Sequence, residues 1–125
     1  YYKETYFILK KAIHFSTLKV IYELPIYHVV PVYNEEDNLL RVETELLAYT
    51  KIAPRTTKIL FVNDGSKDKS QQIIEDICTR NPEFSFISFK DNRGLSAAIK
   101  AGFDYTETEL VGYIDSDLQT APNDF

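Results

Sequence analysis

Ile26-Tyr27-His28-Val29-Val30-Pro31-Val32-Tyr33-Asn34-Glu35-Glu36 decides the reading of the fold: a short apolar run breaks off into a polar, acidic turn. A run of this length, rich in β-branched residues and bounded by turn formers, reads as a strand. The pattern recurs. Residues 58–62, 84–89 and 110–114 read as three further strands. Between them lie helical patterns at 35–49, with Leu39, Val42, Leu46 and Leu47 on one face, at 69–80, with Ile73, Ile74, Ile77 and Cys78 inward, and at 95–105. Strands and helices alternating through such short connections predict an α/β fold, a mostly parallel sheet flanked by helices.

Local signals set the expected helix starts. Asn34 is placed to cap the first helix, with Glu35, Glu36 and Asp37 in its positive first turn. Asp68 followed three residues later by Gln71 suggests a capping box for the second. Pro54 and Pro82 stand in the returns to the second and third strands, where a helix must already have ended.

Composition narrows the function. A chain of 125 residues with 44% hydrophobic residues can bury one core, and its net charge of −5 argues against a general nucleic-acid binder. The charge is uneven: residues 1–24 carry four lysines and two glutamates, leaving −7 on the remainder. An acidic domain that handles an anionic ligand needs a metal or a few well-placed cations. No apolar run approaches the ~20 residues of a membrane-spanning helix, and there is no signal-peptide pattern. The single cysteine, Cys78, cannot form an internal disulfide and sits in a core-packing position; a reducing compartment fits. The chain opens on Tyr1 and stops at Phe125 just after its most informative motif, so it is expected to be part of a longer protein.

Residues 1–25 are expected to form an N-terminal extension. Tyr2, Tyr6, Leu9 and Ile13 have helical spacing with lysines elsewhere on the wheel, as in a basic helix lying on a membrane surface. A packing extension competes with that reading, and the alternation of Val20, Tyr22 and Leu24 leaves an extended segment open as well.

Each predicted strand ends in a polar cluster: Tyr33-Asn34-Glu35-Glu36, Asn63-Asp64-Gly65-Ser66, Asp91-Asn92-Arg93-Gly94 and Asp115-Ser116-Asp117. In open α/β sheets ligands bind at the carboxyl edge, and parallel strands bring all four clusters to it. Asp115 and Asp117, spaced i, i+2 after a strand, can project to one side and suit Mg²⁺ or Mn²⁺; alone, the same spacing is also that of a solvated acidic turn. Acids at the first helix start would repel phosphate, whereas with Tyr33 they suit a base or ribose. Asp64 can accept from an imide N–H or a ribose hydroxyl, or simply form a turn with Gly65. The third helix starts without acids, on Gly94, Ser96, Ala97 and Ala98, with Arg93 and Lys100 near one face. That end suits a pyrophosphate, or is a small-residue helix packed closely on the sheet beside solvated cations. No dinucleotide fingerprint or P-loop occurs, and neither histidine belongs to a ligand cluster; His28, inside the first strand, reads as a hydrogen-bonded structural residue.

Val30-Pro31-Val32-Tyr33-Asn34-Glu35-Glu36, Val62-Asn63-Asp64-Gly65-Ser66, Asn92-Arg93-Gly94 with Ala98 and Gly102, and Asp115-Ser116-Asp117-Leu118-Gln119 together resemble the family 2 glycosyltransferases of GT-A fold. The D-x-D-L-Q run followed by Pro122 is most similar to the dolichyl- and undecaprenyl-phosphate sugar transferases. The resemblance covers 26–125 and implies the nucleotide-sugar-binding half of a Rossmann-like GT-A domain, cut off after the D-x-D motif. It implies Pro31, Val32, Tyr33, Glu35 and Asp64 at the nucleoside, with Asp115 also on the nucleotide; Arg93 is expected on the nucleotide from its place at the start of the third helix. Asp115, Asp117 and Gln119 would hold Mg²⁺ or Mn²⁺ and the donor diphosphate, Asp117 being the catalytic residue. Asn63 departs from the Asp found there in many members, and the acceptor-binding half is missing.

The implied reaction is metal-dependent transfer of a hexosyl group from a UDP- or GDP-hexose to polyprenyl phosphate or a glycan acceptor. The competing reading is a module that binds sugar nucleotide and metal without turnover. A sugar-phosphate nucleotidyltransferase would need a Gly-rich basic loop where Tyr33-Asn34-Glu35-Glu36 stands. The resemblance further implies the cytoplasmic face of a membrane, contacted through the missing C-terminal part. An unpaired edge of the cut sheet would let two copies join as a homodimer.

Overall fold

The computed structural model describes residues 6–9, 25–106 and 110–114. In chain order these form β1 (Tyr6–Leu9), β2 (Ile26–Val32), α1 (Leu39–Ile52), β3 (Thr57–Asn63), α2 (Ser70–Arg80), β4 (Phe84–Ser88), α3 (Leu95–Tyr105) and β5 (Leu110–Tyr113). One sheet holds all five strands in the order β1-β5-β2-β3-β4. β2, β3, β4 and β5 run parallel, and β1 is antiparallel to β5.

Handedness explains where the helices go. Crossovers between parallel strands are right-handed in nearly every sheet. From β2 through β3 to β4 the order advances in one direction, so α1 and α2 share a face. There Val30, Val32, Ile59, Phe61 and Phe84 pack with Leu39, Val42, Leu46, Ile74 and Ile77. From β4 the chain returns across the sheet to β5, and α3 covers the opposite face, where Ala98 meets Val29, Leu60, Val62 and Val111. β2 is therefore the strand at which the order reverses, with β3 on one side and β5 on the other.

The predicted α/β alternation is present, and α3 has the predicted bounds. Four local expectations change. α1 starts at Leu39 because 35–38 form a separate turn, in which Asn38 N and Leu39 N both donate to Glu35 O. Asn34 caps nothing: it takes a left-handed φ of 51° and binds across to the next loop. The Asp68–Gln71 capping box does not form, because Gln71 Oε1 accepts from Asn63 Nδ2 and Ser88 Oγ, both at 2.6 Å. Tyr6–Leu9, expected within a helical pattern, is a strand. It pairs with β5 on the side away from β2, so that flank of β5 is covered within the chain. Val20, Tyr22 and Leu24 lie outside the described residues.

Two contacts fix β2 from its two faces. His28 is fully buried, with Tyr49 Oη 3.2 Å from its Nε2 and the rings edge to face. On the other face Gly102 lies so close that an added Cβ would stand 2.4 Å from Val29 Cγ1. α3 is thus the small-residue helix packed against the sheet that its sequence allowed.

Burial pushes the His28 pKa down to about 4. The unfolded chain protonates near 6.5, so the folded state is favoured above that pH and loses this advantage as the pH falls toward 4. Between pH 7 and 5 the wild type is expected to lose about 2 kcal/mol of unfolding free energy that His28→Gln does not lose. Denaturant titrations of both proteins at the two pH values check this. Gly102→Ala is expected to cost about 1–3 kcal/mol by overpacking against Val29, read as a lower denaturation midpoint at unchanged m value.

Candidate functional site

A crevice of about 280 Å³ opens at the carboxyl ends of β2 and β3. Pro31, Val32, Tyr33 and Glu35 line it from the β2 side, Asp64 from β3, and Asn92, Gly94 and Leu95 from the loop leading into α3. It lies beside the strand at which the order reverses, where open α/β sheets bind ligands. Tyr33 is 46% exposed and Leu95 57%, so two apolar side chains stand open to solvent at its lips.

The crevice walls are three loops sewn together. The β2–α1 loop is tied to the β3–α2 loop through main-chain donors: Asn34 N to Ser66 Oγ at 3.0 Å, Glu35 N to Ser70 Oγ at 2.9 Å, and Glu36 N to Asp68 Oδ2 at 3.1 Å. In the other direction Lys67 N donates to Asn34 Oδ1 at 2.8 Å. Burial raises the Asp68 pKa, but hydrogen bonds from Ser70 and from Glu36 N outweigh it and hold the carboxyl below its usual range. It binds these donors as an anion. Asn63 steadies the same loop, its Oδ1 accepting from Ser66 N and Ser66 Oγ.

The β3–α2 loop is tied to the 92–94 segment by Asp64. Its carboxylate accepts from Arg93 N at 2.6 Å, Gly94 N at 2.9 Å and Asn92 Nδ2 at 3.0 Å. Asp64 is 4% exposed, and its own N–H donates to Val32 O at 2.8 Å. Asn92 Nδ2 also reaches Asp64 O at 3.3 Å, which leaves Oδ1 as the part of that amide open to a ligand.

Five of the seven expected nucleotide-site residues, Pro31, Val32, Tyr33, Glu35 and Asp64, meet at this crevice. Arg93 contributes its main-chain N–H to the wall, while its guanidinium lies over Phe89, 4.6 Å from the ring centroid. Lys100, the other expected cation of that helix, donates to Asp104 at 2.6 Å. Asp115, Asp117 and Gln119 lie outside the described residues. Among the described residues no cluster of three His, Cys, Asp or Glu side chains could hold a metal ion. Asn92 is expected at this edge only as part of the Asp91-Asn92-Arg93-Gly94 cluster, and Leu95 carries no sequence signal beyond its place at the start of α3. Cys78 is half-buried, with its thiol pushed up to about 11 by burial and then by Glu43, which keeps it unreactive.

The Glycosyl transferase family 2 profile matches residues 28–125. The bactoprenol glucosyl transferase of Shigella phage SfX is 37% identical over 91 residues, covering 73% of this chain and 30% of that protein. A dolichyl-phosphate beta-glucosyltransferase of Trichomonas vaginalis is 37% identical over 102 residues, covering 78% and 32%. This chain therefore spans about a third of the length of these curated relatives. Among solved structures, a mannosyltransferase from Pyrobaculum calidifontis in complex with GDP-Man and Mn²⁺ shares the fold, with a TM-score of 0.67 at 20% identity over 77% of this chain and 28% of that one. A reversing parallel sheet with a crevice at its turning strand, and a profile match running from β2 to the last residue, lead to one conclusion: the chain belongs to glycosyl transferase family 2 and has the GT-A fold.

Proposed function

We propose that this chain is the donor-binding part of a hexosyltransferase that moves a hexosyl group from a nucleoside diphosphate sugar to polyprenyl phosphate. The observation that carries the reading is the crevice, in which Pro31, Val32, Tyr33, Glu35 and Asp64 converge from two strand ends. Its chemistry suits a nucleoside. Tyr33 presents a partly open ring on which a base can stack, and carboxylates accept from ribose hydroxyls and base N–H groups.

Ile114 N donates to Val29 O at 2.9 Å, so the chain still runs beside β2 one residue before Asp115. That proximity supports a role for the D-x-D motif at the same crevice. Asp115 and Asp117, with Gln119, would hold a divalent cation, Mg²⁺ or Mn²⁺, whose charge offsets the one developing on the departing nucleoside diphosphate. Oxygen ligands of this kind fit such hard cations. A lipid phosphate acceptor is already anionic and attacks without surrendering a proton, so no general base is required of this part of the protein. The names of the bactoprenol and dolichyl-phosphate relatives support that class of acceptor. Such an acceptor would bring the enzyme to the cytoplasmic face of a membrane; among the described residues no helix is long and apolar enough to cross one.

Calorimetry with UDP- and GDP-hexoses in the presence of Mn²⁺, coupled to a donor-hydrolysis assay, tests the reading. Sugar-nucleotide binding is expected; binding without hydrolysis or transfer identifies a module that holds the donor without turnover. Tyr33→Ala should weaken nucleotide binding by about 1–3 kcal/mol, the range of a lost aromatic–base stack. Asp117→Ala should remove the Mn²⁺-dependent part of donor affinity, and an unchanged Mn²⁺ effect in that variant refutes the assigned metal site.

A further inference from the structure

We infer that Asp64 is a positioning residue, whose carboxylate latches the 92–94 segment into place as one wall of the crevice. The inference rests on the crevice being a sugar-nucleotide site. A carboxylate offers about four acceptor positions. Three of them are taken by Arg93 N, Gly94 N and Asn92 Nδ2 at 2.6–3.0 Å. About one position remains for a nucleoside. Hydrogen bonds to an ionised acceptor are roughly twice as strong as neutral ones, so the latch is firm although Asn92 and Arg93 are themselves exposed.

Gly65 is a second, independent sign of the same contact. A Cβ there would stand 2.4 Å from both Asn92 N and Asp91 C, closer than a side chain can approach main chain. Its φ of +68° also disfavours any side chain. Residue 64 supplies the bonds and residue 65 the room. Because Asp64 N is bonded to Val32 O, the latch joins the end of β2 to the entry of α3. Gly94 and Leu95, which line the crevice, are thereby held by a group on a different loop.

The test pairs Asp64→Asn with Gly65→Ala. Amide hydrogen exchange reports the latch, and calorimetry with UDP and GDP plus Mn²⁺ reports the site. Asp64→Asn turns one acceptor toward the loop into a donor; Gly65→Ala pushes the loop away without altering any side chain able to touch a ligand. In both variants the Arg93 and Gly94 amides are expected to exchange roughly tenfold faster or more, with β2 and β3 amides still protected, and nucleotide affinity to fall roughly tenfold. Continued protection of β2 and β3 certifies that the variants fold. Lost affinity in Asp64→Asn with the 93–94 amides still protected would make Asp64 a direct ligand and overturn the inference. So would a freed loop in Gly65→Ala with affinity unchanged. A wild-type chain that binds neither nucleotide sinks the sugar-nucleotide reading, and this one with it; failure confined to the variants sinks only the role of Asp64.

Discussion

The reversal of strand order at β2 is the constraint on which the site depends. Right-handed crossovers place α1 and α2 on one face while the order advances from β2 to β4, and α3 on the other once the chain turns back to β5. The crevice opens beside β2, where the sheet carries α1 on one face and α3 on the other. His28 and Gly102 hold that strand from either side, one through a buried ring against Tyr49, the other by the closeness of α3 to Val29.

Around this reversal the three loops behave as one piece. Short polar side chains do the joining: Ser66, Asp68 and Ser70 receive main-chain N–H groups from residues 34–36, and Asp64 receives those of 93 and 94. Loops at a ligand site are often mobile and pay to become ordered on binding. Here the donors that a bound nucleotide would otherwise have to organise are already paired. The structure commits its buried polar groups to shape, leaving the ring of Tyr33 and the amide oxygen of Asn92 along the opening. The ion pair between Lys67 and Asp91, at 3.8 Å and exposed, adds little to this arrangement.

Much of the fold is legible in the sequence. Apolar runs separated by amphipathic segments set the class, and the polar cluster after each strand marked the edge to watch. Pro31, Val32, Tyr33, Glu35 and Asp64 were named from their motifs and do meet at one crevice. Local signals did less well where tertiary partners compete for the same atoms. Asn34 and Gln71 have the chemistry of capping residues, but a neighbouring loop claims one and the ends of β3 and β4 the other. Tyr6 and Leu9 fit a helical period, yet an unpaired flank of β5 offers main-chain hydrogen bonds that a short isolated helix does not.

By itself, the order of residues determined the alternation of elements, the parallel sense of the sheet, the family, and which side chains carry ligand chemistry, because periodicity and strand-end clusters are local properties. Only the folded arrangement decided which partners within the chain those side chains meet. Asp64 reads as a ligand, with a turn former as the competing role; the three donors it meets within the fold, nearly thirty residues away, come within reach when β3 and the segment after β4 are brought side by side. A carboxylate takes the donors that surround it, and those are set by the neighbours that folding supplies.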